Sequence, residues 1–301
     1  MRTRTSTMIG VSSLMALSMI TIAIPVRAVV LSLGGLDGPA IVDMASTSGL
    51  YASDRDEVTT LIAQIGAIAP GGDIFDDLGV PYISPEGDVV FGGETVGLDS
   101  RPRWDIYRAN VGVPGNERIV PVLQGATIPD NCHPDLRMDP YAVAGANGMV
   151  AFLAPEASGG DAVFRYQNGR LNCVARIGDR TAQGHKLKLL YFGSADIAEN
   201  GDIAFLARVR EAGEHGAERT VVVTLEGNSL LREIAREGTR APDGISFGSS
   251  FGRPAIVSSR LGDLVAFTNR KSSVTSAYVG CGGRLSRGLR TGAHTEIGIL
   301  T

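Results

Sequence analysis

Two histidines and a scatter of carboxylates are the side chains of this sequence best suited to chemistry. His133 lies eight residues after Gly125 and His185 seven after Gly178, with Asp130, Asp135 and Asp139 close to the first. Imidazole beside carboxylate can ligate a divalent metal, which in turn can activate water for hydrolysis. His133, His185 and Asp135 are therefore the candidate metal ligands, although their spacing fits no established ligand pattern and solvated loop residues would look the same. Asp73, Asp76 and Asp77 could offer oxygens to calcium, but they lack the acid-x-acid-x-acid order of a calcium loop. The single tryptophan, Trp104, could stack on a sugar or anchor a partner; packing between sheets is the competing role, since large aromatics chiefly supply buried area. No catalytic residue is assigned; the chain has no phosphate loop and no His-Glu-x-x-His. No cofactor is expected.

The elements that must position these residues are repeats. Asn200-Gly201-Asp202-Ile203-Ala204-Phe205-Leu206-Ala207 pairs a hairpin dipeptide with an apolar run too short for a helix, and relatives of it recur. Hairpin glycines fall at Gly38, Gly87, Gly148, Gly201 and Gly262; a second landmark falls at Tyr51, Tyr107, Phe164, Val222 and Tyr278; Gly66, Gly125, Gly178, Gly238 and Gly292 close the units. Each unit holds four short apolar segments punctuated by Gly, Pro, Asn and Asp, the pattern of a β-propeller blade. The expected fold is all-β: five four-stranded blades at about residues 29–66, 80–125, 140–178, 193–238 and 253–292, forming one domain over 29–301 after an N-terminal signal helix. Helical spacing at Val58, Leu61, Ile62 and Ile65, and again at Leu230, Leu231, Ile234 and Ala235, competes with this reading. The matching segment Ile119–Leu123 contains Pro121, which an edge strand tolerates and a helix interior does not. The spacings leave Ala67–Gly79, Ala126–Asp139, Asp179–Gly193 and Thr239–Gly252 as long loops on one face of the ring, where binding usually resides.

Residues 1–28 read as a secretory signal peptide, with Arg2 and Arg4 before an uncharged run from Met8 to Ile24 and Val26-Arg27-Ala28 as the cleavage pattern. A retained membrane anchor is the alternative. The formal charge is −4, and loss of Arg2, Arg4 and Arg27 takes it to −7, a poor match for nucleic acid or anionic membrane. Cys132, Cys173 and Cys281 are too few for a disulfide framework, yet an exported chain could oxidise a pair, and Cys132 and Cys173 are the nearest in sequence.

Gly148-Met149-Val150-Ala151-Phe152 and Gly201-Asp202-Ile203-Ala204-Phe205, with looser copies at Gly87–Phe91 and Gly262–Phe267, resemble the choice-of-anchor tandem-repeat proteins of bacteria, named for an Asn-x-x-Gly-x-x-Ala-Phe motif. The leading asparagine is replaced by Ser84, Gly145, Ala198 and Ser259. The resemblance implies a secreted or periplasmic repeat scaffold and supplies no reaction. The functional expectation is a non-enzymatic, monomeric propeller that binds a protein or glycan on its long-loop face. The alternative is an extracellular polysaccharide hydrolase or lyase with carboxylates in the central channel.

Overall fold

The computed structural model describes residues 19–23, 28–32, 41–45, 49–53, 59–84, 86–110, 119–191, 193–211, 216–227, 230–260, 262–281, 284–290, 294–295 and 298–299. Strands β1 (Met19–Ala23) and β2 (Ala28–Ser32) pair antiparallel. Residues 19–23 are thus extended where a signal helix was expected, in keeping with the β-branched run Ile20-Thr21-Ile22. The rest of the leader, 1–18 and 24–27, lies outside the described residues.

Five antiparallel sheets follow as blades of a β-propeller. Blade 1 holds β3 (Ile41–Ala45), β4 (Gly49–Ser53) and β5 (Thr59–Gln64). Blade 2 holds β6 (Ile74–Leu78), β7 (Tyr82–Ile83), β8 (Asp88–Val96), β9 (Pro102–Asn110) and β10 (Ile119–Pro121). Blade 3 is β11 (Val143–Ala144), β12 (Val150–Pro155), β13 (Asp161–Gln167) and β14 (Arg170–Arg176). Blade 4 is β15 (Lys186–Leu190), β16 (Asp196–Ile197), β17 (Ile203–Arg210), β18 (Glu218–Glu226) and β19 (Leu230–Arg236). Blade 5 is β20 (Ser250–Phe251), β21 (Ala255–Val257), β22 (Leu264–Lys271), β23 (Val274–Cys281) and β24 (Arg284–Arg290). A last pair, β25 (His294–Thr295) and β26 (Gly298–Ile299), ends the chain. The two segments with helical spacing are strands β5 and β19: burial between sheets outweighs a local period over so short a run.

In blades 2, 4 and 5 the innermost strand is in two pieces, because β6 and β7 both pair with β8, β15 and β16 with β17, and β20 and β21 with β22. Three of the expected long loops therefore contain strand: β6 lies in 67–79, β15 in 179–193 and β20 in 239–252. What remains of each is a tight turn, closed by Gly72 N–H to the Ala69 carbonyl, Gly184 to Thr181 and Gly244 to Ala241.

The hairpins between inner and second strands also differ from expectation. Among the described residues of these turns, which exclude the one at Gly38, only Asn147-Gly148 has both residues at positive φ, 56° and 69°. At Asn200-Gly201 the glycine alone does, at 90°, and Gly201 donates to the Ala198 carbonyl while Ala198 donates to that of Asp202. That is a three-residue loop with a glycine bulge, and it leaves the Asn200 side chain free to accept from Asp202 N at 3.0 Å.

Blade packing follows from strand alternation, which sends successive side chains to opposite faces. Phe91, Phe152, Phe205 and Phe267 each face the preceding blade, in four successive cores. Cross-strand partners stack on three of them: Tyr107 on Phe91 with ring centroids 5.6 Å apart, Phe164 on Phe152 at 5.0 Å and Tyr278 on Phe267 at 5.6 Å. In blade 4 the partner of Phe205 is Val223, and the expected landmark Val222 faces blade 5 instead, a one-residue offset that flips the face. Around the axis the short inner strands contact in turn, β7 with β11, β11 with β16 and β16 with β21.

Candidate functional site

Blade 2 departs from the others at its outer edge. In blades 3 to 5 the fourth strand has seven residues. In blade 2, where 111–118 lie outside the described residues, β10 has three described residues, and among the described residues it pairs with Tyr107, Arg108 and Ala109 of β9. After Val122 donates to the Ile106 carbonyl at 2.7 Å, the chain turns away through Gln124-Gly125 and leaves the start of β9 without an outer strand. The segment 126–139 fills part of the gap, and the Leu136 carbonyl accepts from Trp104 N at 3.2 Å.

That segment is sewn to blade 3 by its backbone. Thr127 donates to the Gly169 carbonyl and accepts from Leu171, Asp135 donates to the Pro155 carbonyl, and the His133 carbonyl accepts from Ala157. Peptide groups paired in this way hold a loop nearly as firmly as a strand. Between the segment and the bared part of β9 lies a groove of about 460 Å³, walled by Trp104, Asp105, Pro121, Leu123, Gln124, Ile128, His133, Pro134 and Leu136, with Pro70 from the blade 1–2 turn.

Trp104 is half-buried in this wall rather than packed between blades. Its indole N–H donates to the carboxylate of Glu94, its cross-strand partner, which fixes the ring. Asp105 is half-buried beside it; burial raises its carboxyl above the ordinary aspartate range, opposed by the bond it accepts from Ile106 N at 2.7 Å. Gln124 and His133 are exposed at the rim. An aromatic ring, a carboxylate, an amide and an imidazole around one concavity can stack on a flat or ring-shaped ligand and hydrogen-bond its polar edge.

The structure does not bring the candidate metal ligands together. His133 is on the groove wall; Asp135 is paired with the exposed Arg137. His185 sits at the next blade junction, its Nδ1 2.7 Å from Glu233 Oε1 and its Nε2 2.9 Å from Arg236 Nη1, so both ring nitrogens are engaged within the protein. Thr181 Oγ1 donates to the same Glu233 oxygen at 2.6 Å. Asp76 and Asp77 are exposed on β6, where their charges help to raise the carboxyl of Glu94, after burial of Glu94 itself. Among the described residues no three His, Cys, Asp or Glu side chains converge as a metal would require.

Carboxylates do occur on the inner strands. Asp196, half-buried, accepts from Ile256 N at 2.8 Å; burial raises its carboxyl, opposed by this bond and by the charge of nearby Arg253. Arg253 lies over the Tyr82 ring with its guanidinium carbon 4.3 Å from the centroid, bonds the Tyr82 hydroxyl and donates to the Ala195 carbonyl at 2.7 Å. Asp139 lies against Gly79 and Gly92 and accepts from Tyr141 N at 3.1 Å. Sequence spacing missed both the groove and this inner cluster, because each is assembled from separate blades; the only local signal was the lone tryptophan followed by Asp105.

The fold and site define a β-propeller with a groove on its second blade. The chain belongs to DUF7453, a family of unknown function whose match spans residues 30–297. No curated protein matches the sequence. Among solved structures it is similar to an alpha-L-arabinanase from Penicillium chrysogenum complexed with arabinobiose, at 10% identity over 86% of this chain and 76% of that one, with a TM-score of 0.42. It is also similar to a gluconolactonase from Xanthomonas campestris, at 11% identity over 87% and 80% with a TM-score of 0.35, and to an alpha-L-arabinofuranosidase from Fusarium graminearum, at 8% over 84% and 73% with a TM-score of 0.38. Among the described residues no helix is long and apolar enough to cross a membrane.

Proposed function

We propose that this protein is an exported, non-enzymatic binding propeller whose ligand is a glycan held in the Trp104 groove. The supporting observation is the position of the only tryptophan, half-exposed and tethered to Glu94, on the wall of a groove that also presents Asp105, Gln124 and His133. A sugar offers an apolar ring face to stack on indole and hydroxyls for the carboxylate, amide and imidazole. The rigid attachment of 126–139 to blade 3 lowers the ordering cost of binding, since the wall is formed before the ligand arrives.

Trp104 is also the reporter, because its fluorescence is the only indole emission in the chain. Titration of the mature protein with a panel of neutral and acidic oligosaccharides should shift this emission saturably for at least one class. Isothermal calorimetry should show Trp104→Ala binding that glycan about 10–100-fold more weakly, the loss expected for one buried stacking anchor. Trp104→Phe should retain part of the affinity. Undiminished binding by a folded Trp104→Ala protein would refute the assignment of the groove, and turnover of the bound polysaccharide would overturn the non-enzymatic reading.

A further inference from the structure

Cys132 lies in the 126–139 segment, next to His133 of the groove wall, and Cys173 lies on β14 of blade 3. The two thiols are neighbours in the core between blades 2 and 3, although the residues are 41 positions apart in the chain. Cys132 is 2% exposed and Cys173 half-buried, so a reagent from solvent reaches Cys173 first. Cys173 Sγ also donates to Glu156 Oε1 at 3.2 Å, and Arg176 Nε holds the same oxygen at 2.8 Å. Arg176 additionally donates to the Asn131 carbonyl, tying the residue before Cys132 to the same strand. These contacts hold the two sulfurs together before any bond forms. Cys281 lies on β23 of blade 5, apart from this pair.

We propose that Cys132 and Cys173 are a preassembled dithiol that oxidises to an intramolecular disulfide, locking the groove-bearing segment to blade 3. With a low-molecular-weight disulfide as oxidant, Cys173 gives up its proton, for which Glu156 is the adjacent acceptor, and its thiolate attacks one sulfur of the oxidant. A mixed disulfide forms and the first thiolate leaves. Cys132 then loses its proton and attacks Cys173 Sγ, and the second thiolate departs. Two protein thiols are oxidised and one external disulfide is reduced to two thiols. Burial raises both thiols above the ordinary cysteine range, so exchange is slow near neutrality and accelerates with pH.

The test uses the full mature protein exposed to oxidised glutathione at pH 8.5, followed by alkylation and non-reducing peptide mapping. The expected result is one Cys132–Cys173 crosslink with Cys281 alkylated, and a melting temperature about 5–10 °C above that of the reduced protein, as closure of a loop of this length implies. Cys281→Ser should keep the redox-dependent shift and Cys173→Ser should abolish it. Full alkylation of all three cysteines after oxidation, or a crosslink through Cys281, would overturn the proposal. Because the crosslink is read by mass, the outcome is independent of whether the groove binds a glycan.

Discussion

Gly93, in the middle of β8, offers a sharp test of how the blades pack. Its backbone is ordinary extended strand, and only space forbids a side chain. A Cβ placed there would lie 2.8 Å from Phe75 Cε1, 2.9 Å from Tyr107 Cε2 and 3.0 Å from Tyr107 Cδ2. Ordinary carbon contacts begin at about 3.5 Å, so Gly93→Ala must move both rings by more than half an ångström. Neither can yield easily: Phe75 and Tyr107 are 1% and 3% exposed and pack edge to face with centroids 5.1 Å apart. Overpacking of this kind costs about 1–3 kcal/mol and disturbance of the aromatic pair about 1 kcal/mol more. Loss of backbone freedom in the unfolded chain returns about 0.5–1 kcal/mol to the alanine variant. The net loss is about 2 kcal/mol, read as a fall of about 4–8 °C in melting temperature by circular dichroism. An alanine variant as stable as the parent would show that the blade 1–2 core is looser than these contacts require.

Two further perturbations probe the junctions between blades. Asp263 faces Asp202 across the blade 4–5 junction, and its carboxyl is pushed up to about 6, first by burial and then by the hydrogen bond and charge of Asp202, against the stabilising Asn200 and Ser258. The folded state thus holds this proton more tightly than the unfolded chain. Its contribution to stability is greatest below pH 4, falls between pH 4 and 6 and is flat above. Asp263→Asn should remove that slope and stabilise the protein at pH 7.5 by about 1 kcal/mol, a value discounted for solvent screening; urea titrations at pH 4, 5, 6 and 7.5 that leave the slope unchanged would contradict the pairing. Arg253→Ala, which removes the cation–π contact with Tyr82 and the bond to the Ala195 carbonyl, should cost about 2–4 kcal/mol in urea unfolding. A loss under about 0.5 kcal/mol would mean that blade 5 does not depend on this tie to blades 2 and 4.

Blades 2 to 5 were legible because the second strand of each carries a phenylalanine a few residues after a turn glycine, and hydrophobic alternation then dictates which face is buried. The divided inner strands were not legible. Ile74-Phe75-Asp76-Asp77-Leu78 places two exposed aspartates in β6, a composition that reads as loop, and its pairing with β8 comes from residues 15 to 22 positions away. Val222 was misplaced for a related reason: it lies 58 residues after Phe164, close to the step between the other landmarks, yet the cross-strand partner of Phe205 is Val223, on the opposite face. His133 and His185 occupy equivalent positions in sequence, yet one lines a groove and the other is bonded to Glu233 and Arg236, since what surrounds each depends on the strand of another unit.

The groove exists because blade 2 breaks the pattern that the other blades keep. A fourth strand of full length would lay its backbone along Asp105, as β14 and β19 do at the corresponding Ala162 and Val221. In blade 2 the pairing stops after Val122 has donated to the Ile106 carbonyl, and Gly125, at a φ of 72°, turns the chain away. The departing segment attaches to blade 3 instead, through the peptide groups of Thr127, His133 and Asp135. One shortened strand therefore exposes an aromatic ring and a carboxylate while the neighbouring blade holds the opposite wall in place. A regular blade could not do both, and this is the physical reason for locating binding here rather than on the more regular edges of blades 3 to 5.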